Sequence, residues 1–383
     1  MGMGQWNLRL IPETPPSVLA QIDLKKYGFG HIVITSTEMS GSTSGQDARL
    51  PYARYTGVYR SRPSAFEMGG PGPAMWLADE DNKGEAPAPP HWAASPYGWA
   101  EWLPKLQPSS LGVGFRTAGG LVPGTYQKVF SFNTYREIID DVCSRFGTEW
   151  RVRPDLALDL GRREDLFRMT PVAIVMRRAE DSGRDALSIG LTGSIEVDQD
   201  LDDWTREVLY FTGTEATPTI DSNNGGIPAA DVPYRNPFGQ AIIMTRQIKD
   251  FGSTPTADGP ALAAMQYGRF DHAHEEMTLN SIEYDIGASV RVGDNVNVYD
   301  PERGIYDTAN ALHFRGQTIF PQVVRCVGHQ WPIRSGMGVY FRRYEYAASL
   351  TTWPYEYIDL TPYVDWETGT TQLELGALPR GND

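Results

Sequence analysis

Residues 290–307 read VRVGDNVNVYDPERGIYD, and they set the terms for the rest of the chain. Apolar residues alternate with polar ones, then Gly293-Asp294-Asn295 and Asp300-Pro301 with Gly304 interrupt the alternation. A two-residue period buries one face of a strand, whereas glycine, asparagine and proline supply the backbone angles of turns. Short strands joined by tight turns are therefore expected. With 39 glycines and 28 prolines in 383 residues, such punctuation recurs too often for long helices. Val290 and Val292 are expected on one arm of a hairpin, with Val296 and Val298 on the returning strand. PQVVRCVGHQW (321–331) should follow as a third strand of a small antiparallel barrel or sandwich. The acidic side chains of the stretch sit at its turns, where aspartate accepts from backbone N–H groups. A barrel corner explains them better than an active site does.

The same reading finds strands in HIVITST (31–37) and ARYTGVYR (53–60), and in VAIVMRR (172–178) leading towards IEVDQDLDDW. The segment 69–124, dense in Gly, Pro and Trp, reads as an ordered excursion packed through Trp76, Trp92, Trp99 and Trp102. Those rings fit buried anchors or a subunit interface, and a glycan-binding face is the alternative. NTYREIIDDVCSRFG is the clearest helix. Thr134 and Glu137 form a capping box, and Tyr135, Ile138, Ile139, Val142 and Phe146 share one face. Gly147 ends it. A hairpin follows, from Trp150 and Val152 through Pro154-Asp155 to Leu156, Leu158 and Leu160. Residues 212–260 read as a surface loop or crossover, and GPALAAMQYGRF (259–270) as a short helix.

Charge and cysteine content exclude several classes. The net charge of −14, with the acidic excess beyond residue 120, provides no basic surface for gripping nucleic acid. No apolar run reaches bilayer length, and no secretory signal is expected from MGMGQWNLRLIPE. Cys143 and Cys326, the only cysteines, build neither a zinc site nor a disulfide framework, so synthesis in a reducing cytoplasm is expected. HAHEEM lacks the second zincin histidine because position 278 is Thr, though His272 and His274 would share a face in a strand. ADEDNKGE has Asp79, Asp81 and Gly84 at calcium-loop spacing, but Lys83 and Pro90 stand where oxygen ligands belong. GSTSG (41–45) has Thr43 where a nucleophile elbow needs serine. No enzyme, cofactor or metal is expected.

The block VRVGDNVNVYDPERGIYD with FRGQTIFPQVVRCVGHQWPIRSGMGVYFR resembles the C-terminal part of minor tail proteins, the baseplate hubs, of siphoviruses infecting actinobacteria. RYTGVY (54–59), GGPGPAMWLADEDNKG (69–84) and FGTEWRVRPDLALDLG (146–161) resemble the same group. The resemblance makes Trp150, Pro154, Asp155, Asp159, Gly161, Gly293, Asp294, Asp300, Gly304, Trp331, Gly336 and Gly338 structural turn residues. Leu156 departs from the pattern, which has glycine in that turn.

The resemblance implies an α+β, β-rich chain with two tube-like antiparallel β-barrels around an α/β domain. The expected division is an N-terminal barrel with its Trp/Pro/Gly-rich excursion (1–125), an α/β domain (126–215) and a crossover with a short helix (216–272). A C-terminal barrel (273–350) and an extension (351–383) follow. The implied assembly is a homotrimeric hub at the tail tip of a virion, adapting a sixfold tube to a threefold tip and gating DNA and tape-measure release. Its partners would be the distal tail ring, the tape measure protein's C-terminus and receptor-binding tip proteins. DNA would pass through without being held. Asp198, Asp200, Asp202 and Asp203 are candidates for the lumen lining, with a solvated edge as the alternative. The competing function is a cell-wall-engaging tail protein that binds or hydrolyses glycans, supported by the tryptophan-rich region.

Overall fold

The structure is a computed structural model. It describes residues 4–23, 30–36, 53–78, 97–106, 124–128, 130, 133–154, 156–167, 169, 171, 174–176, 195–200, 205–225, 237–238, 244–252, 255–270, 274–282, 290–314, 317–333, 335–344, 355–366 and 371–377. The first part contributes β1 (Gln5–Arg9), β2 (Gly30–Ser36), β3 (Ala53–Tyr59), β4 (Ser61–Ser64) and β5 (Glu67–Pro71). The middle contributes helix α1 (Tyr135–Phe146), β6 (Glu149–Val152), β7 (Leu158–Gly161), β8 (Ile174–Met176) and β9 (Ile195–Asp200). It continues with β10 (Glu207–Gly213), β11 (Pro218–Asn223), β12 (Thr245–Lys249) and helix α2 (Gly259–Phe270). The remainder supplies β13 (His274–Ile282), β14 (Asn295–Tyr299), β15 (Leu312–Phe314), β16 (Gln317–Ile319), β17 (Gln322–Gln330) and β18 (Met337–Tyr344). β19 (Tyr355–Asp359) and β20 (Thr371–Ala377) complete the series.

The fold is α+β and β-rich. One sheet has the order β19-β18-β2-β3, so strands from both ends of the chain form it. It shares a core with the β1-β5-β4 sheet, made by Trp6, Ile32, Tyr59, Met68, Phe341 and Ile358. Backbone approach here is close enough to require glycine: a Cβ at Gly70 would lie 2.0 Å from the Val58 carbonyl oxygen. The larger sheet has the order β8-β14-β17-β20-β13-β9, over a core of Ile195, Met277, Leu279, Val296, Val298 and Val324. Among the described residues no strand order closes on itself. The segment after Ala347 builds both sheets, with β19 at the edge of one and β20 inside the other.

The capped helix forms as its sequence dictates. Glu137 N–H donates to Thr134 Oγ1 at 3.3 Å, and Thr134 N–H donates to Glu137 Oε2 at 2.8 Å. Gly147 takes φ +64°, and the apolar face of α1 is buried against Trp99, Trp102, Leu158 and Leu160. β6 and β7 form the expected hairpin in antiparallel register, Trp150 opposite Leu160.

Leu156, at φ +67°, occupies the left-handed region in this hairpin's turn. A side chain there costs ~1–2 kcal/mol, partly offset by the unfolded-state freedom that glycine adds, so Leu156→Gly is expected to stabilise the chain by ~0.5–1 kcal/mol. A rise in the urea midpoint with an unchanged slope would show it; a fall would mean that the half-buried leucine side chain contributes more than the strain.

Two expectations are corrected. Val290 and Val292 form no strand: a turn closed by Asp294 N–H on the Arg291 carbonyl (3.0 Å) leads into β14, whose partner is β17. Both valines still pack on the core, because the turn keeps them facing inward. The presumed loop 212–260 contains β11 and β12, which flank β10 under helix α2. The helix spans 259–270 as read.

Candidate functional site

The acidic run expected at a lumen begins on β9, an outer strand of the six-stranded sheet. Ile195 points into the core, whereas Glu196 and Asp198 are exposed on the opposite side of the pleat. The register sets position 196 opposite Thr278, 198 opposite Glu276 and 200 opposite His274. Positions 196, 198 and 200 therefore share one face of the strand. Carboxylates facing directly across a ladder repel by ~0.2–1 kcal/mol, a penalty that water and salt reduce. Asp202 and Asp203 lie outside the described residues. Among the described residues no group of three or more His, Cys, Asp or Glu is placed to hold a metal. His272, the ADEDNKGE segment from Asp79 onward and the GSTSG loop lie outside the described residues, as do Trp92 and Asp155. No helix among them is long and apolar enough to cross a membrane.

The tryptophans go inside. Trp99 and Trp102 are buried against α1, and Trp102 Nε1–H donates to the Tyr126 carbonyl at 3.2 Å. Neither ring offers a face for a sugar to stack on. Trp76 lies in a short helix, Met75–Ala78. Cys143 is buried on the helix's inner face, and burial pushes its thiol up to about 12, so it is no nucleophile at neutral pH. Cys326 is buried too, its thiol directed at the Gly328 carbonyl at 3.3 Å.

The turn that opens 290–307 is a docking seat. Gly293 takes φ +100°, and the ring of Phe167 lies where its Cβ would be. Guanidinium groups of Arg151 and Arg325 each sit 5.3 Å from the Phe167 ring centre. Arg325 forks onto Glu149, with one bond of 2.8 Å, joining β17 to β6. Arg163 donates to Asn295 Oδ1 at 2.7 Å, and Asn295 donates in turn to the Met169 carbonyl. The acidic residues serve their turns: Asp294 accepts from Arg291 N–H at 3.0 Å, and Asp307 from Ala309 N–H at 2.9 Å. Asp300 is buried at the next turn, 3.8 Å from Arg303.

The remaining turn residues are accounted for individually. Trp150 donates to Asp140 at 2.6 Å, and the Pro154 carbonyl accepts from the Thr56 hydroxyl. Asp159, fully buried, pairs with Arg151 at 3.1 Å and Arg153 at 3.6 Å. Gly161 ends β7 opposite Glu149. Gly304 and Gly336 have φ of +76° and +96°. Gly338 leaves room for Thr35 and the Tyr340 ring, and Trp331 packs near His329.

A second polar cluster, which the sequence reading missed, joins α1 to the β10–β12 sheet and α2. Arg145 Nη2 donates to Asp258 at 2.6 Å and to the Thr125 carbonyl at 3.1 Å. Lys128 and the Tyr126 hydroxyl both meet Asp141, and Tyr210 donates to Asp250 at 3.0 Å. Burial first, then the neighbouring carboxylates Asp141 and Asp250, raises both tyrosines far above their ordinary range. Their hydroxyls stay protonated and act as donors, Tyr126 to Asp141 on the α1 side and Tyr210 to Asp250 on the β10–β12 side, while the Arg145–Asp258 pair crosses between the two. One signal was available: Arg145 lies three residues after Val142, on the face that α1 buries.

The sequence matches no protein-family model and no curated protein. Several solved structures are similar to the chain at low identity. A tail protein from Neisseria meningitidis matches at 12% identity and TM-score 0.48, over 97% of this chain and 96% of that one. A prophage tail protein from Listeria monocytogenes matches at 11% and 0.44, over 92% and 89%. A prophage tail protein of 43 kDa from Shewanella oneidensis matches at 8% and 0.45, over 91% and 93%. At such scores the likeness assigns no role by itself.

Proposed function

We propose that the chain is a structural, non-enzymatic virion protein: a homotrimeric baseplate hub at the tip of a long non-contractile phage tail. Two barrel-like units per chain, three chains in all, adapt a sixfold tube to a threefold tip and gate the release of tape measure and DNA. The distal tail ring, the tape measure C-terminus and receptor-binding tip proteins are its neighbours. The observation that carries this reading is the two-sided character of the six-stranded sheet. One face closes an apolar core, and on its outer strand Glu196 and Asp198 stand exposed on the other face, with Val197 between them also exposed on the core side. A wall of that kind facing a lumen repels phosphates and lets DNA slide without sticking. Asp200, Asp202 and Asp203 are further candidates for the lining by their place in the sequence.

The reading agrees with the segments that resemble minor tail proteins. No observation favours glycan engagement by Trp99 or Trp102, since both are buried. Copy number per virion, by calibrated mass spectrometry against the tube and tape measure proteins, tests the assignment. Three copies support the hub. Six copies, or an assembled tail with Asp198 on its outer wall, refute it.

A further inference from the structure

The sequence holds one Asn-Gly dipeptide, Asn224-Gly225, and one Asp-Gly, Asp258-Gly259. Both are chemically fragile for the same reason. The backbone nitrogen of the second residue can attack the side-chain carbonyl carbon of the first, and a glycine there has no Cβ to crowd the approach. The fold treats the two sites differently. Asp258 closes a 3₁₀ turn, Thr256–Asp258, whose helical backbone continues into Gly259 at φ −51°. Gly259 N–H donates to the Thr256 carbonyl, and Arg145 holds the Asp258 carboxylate at 2.6 Å. The nucleophile is engaged there, and the carbon it would attack belongs to a paired anion, a poor electrophile. Asn224 lies just past β11, outside any helix or strand, and both it and Gly225 are exposed. Gly225, at φ +64°, donates its N–H to Asn223 Oδ1 at 3.0 Å, an exposed bond that opens at small cost. The Asn224 side chain is a neutral amide with ammonia to lose.

We propose that Asn224 is a site of spontaneous modification, converted to aspartate and isoaspartate in the folded chain, while the fold protects Asp258. The Gly225 nitrogen gives its proton to solvent base and bonds to Asn224 Cγ. The bond from Cγ to the side-chain nitrogen breaks, ammonia leaves, and a five-membered succinimide remains. Water then adds to one of the two ring carbonyls and opens its C–N bond. Opening at Cγ restores the main chain with aspartate at 224. Opening at the backbone carbonyl routes the main chain through Cγ and lengthens it by one carbon. Overall, water enters and ammonia departs. The change falls where β11, an outer strand of its sheet, meets α2: a Cβ at Gly225 would lie 2.7 Å from the hydroxyl oxygen of buried Tyr267. A lengthened main chain cannot keep that seat, so the end of β11 comes away from the helix. This chemistry is independent of the tail-hub reading.

Peptide mapping by mass spectrometry tests it on the full chain, incubated folded and in urea at mildly alkaline pH in heavy-oxygen water, which marks each opened ring. Asn224 is expected to react in the folded chain within about tenfold of its rate in urea, the cost of opening one exposed hydrogen bond. Folding should slow Asp258 by about 100-fold or more, because the buried pair with Arg145 must first be broken. In the converted chain, hydrogen exchange should rise in β11 and stay unchanged in β14. Asn224→Gln, whose ring would need six members, should show neither the product nor the rise. Slowing of Asn224 on folding by as much as Asp258 overturns the proposal. So does a β11 that exchanges no faster after conversion, or a rise that persists in Asn224→Gln.

Discussion

Gly293→Ala is expected to destabilise the chain by about 3 kcal/mol, whereas Gly304→Ala, only eleven residues on, should cost ~1 kcal/mol. Both glycines have positive φ, +100° and +76°, so both substitutions strain the backbone. Only at Gly293 does the new methyl meet something: the Phe167 ring, 2.2 Å from the ideal Cβ position. Nothing lies within 4 Å of the Cβ position at Gly304. The ring cannot withdraw cheaply, because the guanidinium groups of Arg151 and Arg325 both lie against it and Arg325 is forked onto Glu149. Moving Phe167 would therefore also disturb the contact between the β6–β7 hairpin and β17. The pair of variants separates backbone strain from steric conflict. Equal losses in urea denaturation would show that the ring relocates freely, and that the turn does not seat the hairpin.

The contrast between Gly293 and Phe167 also shows what was legible beforehand. That Gly293 belongs to a turn follows from its neighbours in sequence; that Phe167 fills the space above it does not. The same division runs through the fold. Helix α1 and the β6–β7 hairpin carry their signals within a few residues, as capping groups, a 3.6-residue period and a Pro-Asp turn. β2 pairs with β18 and β20 lies between β17 and β13, pairings whose partners are far apart in sequence and leave no local mark. β11 and β12 escaped because Thr-Ile-Asp-Ser and Thr-Arg-Gln-Ile-Lys expose most of their positions, so the apolar alternation that reveals a strand is weak. The candidate lining was legible as strand spacing at Asp198 and Asp200. Which wall of the proposed assembly it would face is set by contacts between chains, which no local sequence pattern records. Tryptophan content alone could not separate a core from a binding face, since both reward large amphipathic rings.

The other large effect is expected at Arg145. Its side chain is 2% exposed and that of Asp258, its partner, 15%, so neither charge has much water to fall back on. Arg145→Ala should cost about 3 kcal/mol, the lower end for breaking a buried pair because Asp258 keeps some solvent. Asp258→Asn should cost as much or more, since it leaves the deeper charge without its counter-charge. The double variant Arg145→Met with Asp258→Asn should recover about half of the summed losses, because it removes both buried charges together. Simple additivity would rule out the pair as a coupled unit. The location gives the pair its importance: Arg145 lies in the last turn of α1, while Asp258 immediately precedes α2 and abuts Gly124, whose φ is +97°. Tyr210 with Asp250 and Tyr126 with Asp141 flank it on the two sides of the same junction. Exchange measurements on Arg145→Ala should accordingly show protection lost first in β10 and α2, with the β19-β18-β2-β3 sheet unaffected. A loss confined to α1 itself would instead mean that the arginine serves its own helix and that the two units are held together by their apolar contacts.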